Sequence, residues 1–373
     1  MYTGYEGEAL TPLHIGSGNR IVPMEYCFAS DEPKLIRIDM DALFRSPEFR
    51  TRADAFAVTA LAGRPIAETH PFASRYPLYA LASDHHAIGQ LRAQGRNGQV
   101  LEATKECGAW YVPGSSIKGA LRTLTYSGNI TPQFAAEWQR GIRSRLPGRK
   151  GEAKFAASGA ETNVSGNPNR SAFRAVRVGD SSLVDSSSVR LTLVKVVEKT
   201  FRGTVWKILP HRSTNDTREA TPILVEAIKP GTMFAGNLNL NEDLLGLRQA
   251  NLVGVELFRE WLAKLRAAQL AHIEAEKRFY RDIGEDRLES QCRRLVGIVE
   301  QLGEDEVILQ TGWGTGYTPK TVREAVDDDT FAQVVSDYGM RDGMADDFPR
   351  TRRVVLHDGE PSTVMGFVKL RFV

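Results

Sequence analysis

Apolar and polar residues alternate over residues 2–13, which predicts a first strand, and the turn formers of the next segment, His14-Ile-Gly-Ser-Gly18, predict a tight turn. Short apolar runs at 24–28 and 35–38 are expected to pair as strands. From 53 to 94, Pro65, Pro71 and Pro77 interrupt any long element, so an insertion of mixed structure is expected. The period then changes. Ile117, Leu121 and Leu124 recur at helical spacing, predicting a helix that opens at Gly114, stops at Gly128 and is capped by Ser115 or Ser116. Residues 134–145 predict a second helix, and 175–178 and 189–197 predict strands. Runs at 204–209 and 223–228 are expected to form a hairpin around a polar 211–218 tip, followed by a strand at 233–240. Asn241 has the character of a helix cap. Residues 252–283 place Val255, Phe258, Leu262 and Leu265 on one face of a long, core-facing helix.

This order of strands, helix, strands, long helix and closing strands predicts an α+β fold. The chain divides into 1–240, which carries the core and its insertions, and 241–373, which carries the long helix, a glycine-rich loop and the closing strands. At 373 residues and 42% hydrophobic content the chain supports one large elaborated core or two smaller ones. Apolar runs stay well short of the roughly 18 residues a membrane span needs, and residues 1–8 lack a basic-then-apolar leader. Neither a span nor a signal peptide is expected. Cys27, Cys107 and Cys292 are odd in number and far apart, which fits a reducing compartment and the cytoplasm.

The candidate chemistry is anion binding. Gly114, Ser115 and Ser116 open the predicted helix, whose first amides favour a phosphate, and Lys118 and Arg122 lie one turn apart beside them. Net charge is only +2, yet nine cations face two carboxylates between Arg140 and Arg177, and the Gly-, Ser- and Asn-rich 148–171 stretch reads as a loop able to follow an RNA backbone. Acidic residues gather instead at 282–305, 327–329 and 346–347. In the 310–321 segment, Gly312, Gly314 and Gly316 miss the dinucleotide spacing because Tyr317 stands where a third glycine belongs, and Pro319 before Lys320 and Thr321 breaks the Walker pattern. What remains is a loop that approaches a polyanion closely, with Trp313 and Tyr317 as stacking faces and Lys320 as a charge. The seven histidines show no metal-ligand spacing; Asp84-His85-His86 makes no metal site, and His14 reads as structural. Asp31, Asp39 and Asp41 stand in no catalytic motif, and Asp31 reads as a turn former.

Four segments in one order carry a family resemblance: residues 10–18, 112–123, Arg177-Val-Gly-Asp180, and 312–316 with Lys320-Thr321. With them the chain resembles the RAMP proteins of CRISPR interference. Its length, the Pro349-Arg-Thr-Arg352 element and the closing residues 365–370 are most similar to the fifth-subunit family of type III-A (Csm) effectors. The resemblance implies an RNA-recognition-motif or ferredoxin-like core with large insertions. It also implies a non-catalytic subunit that binds the CRISPR guide RNA, caps its 3′ end in the backbone filament and supports its maturation. No cofactor or metal is expected besides the bound guide.

Carried over, Gly16, Ser17, Gly18, Gly114, Ser115, Ser116, Lys118, Arg122, Gly312, Trp313, Gly314, Gly316 and Lys320 would meet RNA. The 204–228 hairpin, with Arg212 and Arg218 near its tip, would be a thumb against the guide–target duplex. Partners would be the guide RNA, that duplex, an adjacent RAMP backbone subunit and host nucleases that trim the guide. A histidine-based RAMP endoribonuclease, another type III backbone subunit, and an assembly scaffold without RNA contact are the alternatives.

Overall fold

The computed structural model describes residues 2–144, 156–200, 203–209, 212–337 and 348–373. Five antiparallel strands form a central sheet in the order Glu306–Gln310, Phe367–Phe372, Tyr5–Ala9, Met233–Leu240, Val176–Ser181. The alternation of the first strand explains its place: Tyr5, Gly7 and Ala9 are buried, whereas Glu6 and Glu8 are half-buried. Helices Gly114–Ser127 and Trp261–Asp282 pack on each other and on this sheet, joined by the Trp261 indole N–H donating to Thr125 Oγ1 at 2.8 Å. Leaving aside the outer edge strand Glu306–Gln310, the core runs strand–helix–strand–strand–helix–strand with spatial order fourth, first, third, second. That is the ferredoxin-like arrangement expected from the sequence.

A second sheet is organised by the long strand Val189–Thr200, buried from Leu191 to Val197 and apolar there except at Thr192 and Lys195. It pairs with Ile223–Ile228 through residues 189–194, with Thr351–His357 through 193–198 and with Gly203–Ile208 through 197–200. Gly16–Ile21 and Val100–Ala103 extend it on one side; Pro77–Ala82, Lys34–Ile38 and Tyr26–Phe28 extend it on the other. Residues 10–13 step from one sheet to the other, where Leu13 exchanges backbone hydrogen bonds with Ile228 at 3.1 and 2.8 Å. The expected pairing of 24–28 with 35–38 is present, and Asp31 lies in the turn between these strands.

Several expectations need correction. The glycine segment after His14 is an exposed edge strand, Gly16–Ile21, whose pairing is irregular between Gly16 and Arg20. The 204–209 and 223–228 runs do not form one hairpin: each pairs separately with one edge of Val189–Thr200, the first along residues 197–200 and the second along 189–194, because that long buried strand offers backbone partners to both. The long helix begins only at Trp261, after a 3₁₀ turn at Val255–Phe258 and Glu260 at φ 51°, and ends before Gly284 at φ 73°. A further helix, Asp286–Glu300, follows it. Asn241 does cap a helix, the short Glu242–Gly246. The proline-interrupted insertion is mixed, as expected, with helices Ala53–Leu61 and His85–Ala93 and the strand Pro77–Ala82.

Candidate nucleic-acid interface

The turn at Pro113 places the start of helix Gly114–Ser127 against strand Val176–Ser181 so closely that only glycine fits at 114. A Cβ there would stand 2.4 Å from the Val178 carbonyl oxygen and 2.5 Å from that of Gly179. No serine caps this helix; its cap position is Pro113. The Gly114 N–H donates instead to Asp180 Oδ1 at 2.7 Å, so the first amide already holds a carboxylate from the Arg177–Asp180 segment. The first amide of the expected phosphate site is therefore taken by the protein itself.

The expected cations are also engaged. Lys118 Nζ donates to the Val176 carbonyl at 2.7 Å, and Arg122 pairs with Glu161 and reaches the Tyr126 hydroxyl at 3.2 Å. Desolvation, then the neighbouring Arg122 and Arg177, holds the Lys118 ammonium below the ordinary lysine range. Burial pushes the Glu161 carboxyl up, against the pull of Arg122. Replacing Lys118 and Arg122 is thus not a neutral surface change, contrary to what helical spacing alone implies.

What the fold does create lies along the side of the helix. Ser115 and Gly119 are exposed one turn apart, and a Cβ on Gly119 would meet nothing within 4 Å. On one flank a cleft of about 390 Å³ is bounded by Ser115, Ser116, Ile15, Gly312, Trp313 and Lys320. On the other, a trough of about 420 Å³ holds Lys118, Arg122 and Arg174 beside the same Ser115 and Gly119. Small side chains form the ridge between two cationic flanks.

The glycine loop is fitted to this place. Gly312, Gly314 and Gly316 have φ of 90°, 91° and 83°, which side-chain-bearing residues adopt only with strain. A Cβ on Gly312 would lie 2.5 Å from the His14 carbonyl oxygen, which accepts the Trp313 N–H at 2.8 Å. Gly314 abuts Met365, and Gly316 faces open space. The Arg353 guanidinium stacks 4.8 Å above the Trp313 ring, covering one of its stacking faces, and its buried Nε has no hydrogen-bond partner. Desolvation, then Arg353, keeps the Lys320 ammonium below its usual range. Arg353 was missed by sequence reasoning because its strand joins the site only through long-range pairing with Val196.

A buried carboxylate residue anchors His14. Glu226, fully buried, accepts the Tyr79 hydroxyl at 2.6 Å, the Ala103 N–H at 2.9 Å, Lys105 Nζ at 2.5 Å and the Trp110 indole N–H at 3.3 Å. Its carbonyl accepts His14 Nδ1–H at 2.7 Å, so the neutral ring is fixed in one tautomer and its backbone oxygen is aimed at Trp313. Burial lowers the His14 pKa. His14 is structural, as its position in the glycine segment implied.

Other expected residues do not line the cleft. Gly16, Ser17 and Gly18 lie next to it on the edge strand, where Ser17 donates to the Glu102 carboxylate at 3.1 Å. Arg212 and Arg218 line neither space; Arg218 is held by both oxygens of Asp216, in a loop that buried Lys195 fixes by donating to the Thr217 carbonyl at 2.6 Å. Of the basic 140–177 stretch, Arg143 pairs with Asp327 at 3.0 Å and Arg174 binds the Asn169 carbonyl, while Arg145, Arg149, Lys150 and Lys154 lie outside the described residues, as do His211, Asp346 and Asp347. Residues 156–165 of the expected loop form a helix. Among the described residues, Asp84, His357 and Asp358 bring ligand atoms within 4.8 Å of one another, but Asp84 already caps helix His85–Ala93 and faces Arg190 at 3.8 Å. Among the same residues no helix is long and apolar enough to cross a membrane.

A family model described as the RAMP superfamily matches residues 6–289. A chain from a cryo-EM structure of a Csm–crRNA–target RNA ternary complex of a type III-A CRISPR-Cas system shares the fold, with a TM-score of 0.67 and 22% identity over 99% of this chain and 100% of that one. The crystal structure of Csm5 from T. onnurineus is similar at a TM-score of 0.60 and 21% identity, covering 97% and 99% of the two chains. No curated protein sequence matches this chain.

Proposed function

The chain belongs to the RAMP superfamily, and from that premise we propose that it is the guide-RNA-binding subunit of a type III-A CRISPR effector. In this role it caps the guide 3′ end, docks on an adjacent RAMP subunit and supports guide maturation and assembly in the cytoplasm without cutting RNA. The observation that carries the proposal is the convergence of three distant segments, around His14, Ser115 and Gly312, on one cleft. Ser115 and Gly119 give an RNA backbone close access, and Lys320 and Arg353 offer charge that no carboxylate neutralises by an ion pair among the described residues. The likeness to a chain of a Csm–crRNA–target RNA complex supports the same reading. Recruitment of host nucleases belongs to this proposal too.

Single-stranded RNA is expected to bind with little sequence preference, because backbone-directed cations position a strand without reading its bases. For roughly four to six neutralised phosphates, the slope of log affinity against log salt will be about −3 to −4. Lys320→Ala with Arg353→Ala will weaken binding by about 2 kcal/mol, the scale of a charged hydrogen bond, and flatten the slope by about 1.4. A salt-independent affinity would remove the phosphate reading. In the same samples RNA is expected to stay intact with and without divalent metal; site-specific cleavage would favour the endoribonuclease alternative.

Gly119 separates binding from stability. An alanine there meets open space in a helix, so Gly119→Ala will stabilise the protein by about 0.5–1 kcal/mol in a denaturant titration. The added methyl raises the ridge and holds an RNA backbone further off, so RNA affinity will fall in filter binding. A variant both more stable and equally tight would place the strand elsewhere.

A further inference from the structure

Beside the cleft lies a smaller cavity of about 230 Å³, bordered by helices Gly114–Ser127, Pro132–Arg143 and Asp328–Asp337. Tyr126, Trp138, Tyr317 and Phe331 line it, with Ile142 and Val326 adding aliphatic surface. Thr123 and Lys320 belong to both spaces, so the cavity adjoins the cleft at those two residues. Its aromatic walls are fixed: Trp138 stacks on Phe134 with ring centres 5.6 Å apart, and the Tyr126 hydroxyl shares a 2.8 Å hydrogen bond with Ser165.

The border is polar. Glu161, Thr321, Lys320 and Arg323 line this space as well; Glu161 is held by Arg122, the Thr321 hydroxyl donates to the Tyr317 carbonyl at 3.3 Å, and the Arg323 guanidinium lies 3.9 Å over the Phe331 ring. An aliphatic protein side chain inserted here would desolvate the Lys320 ammonium and give it no partner. A flat ring with apolar faces and a hydrogen-bonding edge suits both kinds of lining, and a phosphate attached to it would lie beside Lys320. From this match we infer that the cavity receives one unpaired nucleobase of the RNA whose backbone crosses the Ser115–Gly119 ridge, an inference that rests on the RNA-binding reading. The protein then holds its strand by one inserted base as well as by phosphates.

The test compares a ten-nucleotide oligoadenylate with the same sugar–phosphate chain lacking every base, both titrated into the full-length protein. The base-bearing strand is expected to bind about tenfold or more tightly, the scale of one good base–aromatic stack. A 2-aminopurine placed in the strand will be quenched on binding. Val334→Phe, which fills the cavity from a position that does not line the cleft, will abolish both effects while leaving the base-free strand's affinity unchanged. Thr321→Met fills the same space from the opposite wall and serves if the first variant does not fold. Equal affinity of the two strands, or quenching that survives a folded filling variant, overturns the inference. Failure of both strands to bind at all would instead overturn the RNA-binding reading.

Discussion

Glu226→Ala will cost about 3–5 kcal/mol of folding stability, read as a lower denaturant midpoint, because it breaks a buried ion pair by removing one partner. Lys105, with its side chain 12% exposed, would lose the carboxylate 2.5 Å away and keep only that of Glu102 at 3.2 Å, and Tyr79 and Trp110 would lose their shared acceptor. Replacing both members, Glu226→Leu with Lys105→Met, should recover only part of that loss, since it removes the uncompensated charge but leaves the Tyr79 hydroxyl, the Ala103 N–H and the Trp110 indole without their acceptor. A loss below about 1 kcal/mol for the single variant would show that Glu102 or solvent compensates Lys105 in its place. RNA binding should weaken as well, because this network sets the position of His14 and thereby of the 312–316 loop. The same site gives a pH dependence. Burial holds the folded His14 pKa below its unfolded value of about 6.5, so below that pH the unfolded chain binds a proton that the folded chain refuses. Its contribution is present in full above pH about 6.5 and declines as the solution is acidified.

Gly114→Val will lower stability by about 3 kcal/mol and abolish assembly into a guide complex. The cause is not helix propensity. A side chain at 114 meets two backbone carbonyls at 2.4 and 2.5 Å, which move only if strand Val176–Ser181 moves, and that strand is hydrogen-bonded to Met233–Leu240 along the core sheet. Its displacement would also break the bond from the Gly114 N–H to Asp180. A Gly114→Val protein with wild-type thermal stability would mean that the strand yields freely, and the closeness of this contact would then carry no energetic weight.

Local signals made the individual elements legible. Helix Gly114–Ser127 and its stop at Gly128 follow from apolar spacing and a glycine, and strands Tyr5–Ala9 and Met233–Leu240 lie within predicted runs. The breaks in the 252–283 periodicity were less legible, because Glu260 adopts a left-handed conformation that residues of its type rarely take. The hairpin between 204–209 and 223–228 failed for a different reason. Turn chemistry and β-branched runs identify strands but not their partners, and the buried strand Val189–Thr200 outcompeted the local pairing.

The site divides along the same line. Sequence alone determined that glycines and cations occur in segments able to meet a polyanion, that Gly312, Gly314 and Gly316 form no nucleotide fingerprint, and that the order of motifs is that of the RAMP family. Tertiary structure decided which charges stay available: Lys118 and Arg122 are held by Val176 and Glu161, Asp180 occupies the helix amide, and Arg353 arrives from a strand of the second sheet to stand over Trp313. The physical reason is that residue type and spacing fix what a segment can do by itself, whereas a cation's availability depends on which carbonyls and carboxylates the fold brings within hydrogen-bond reach, and those come from sequence-distant strands.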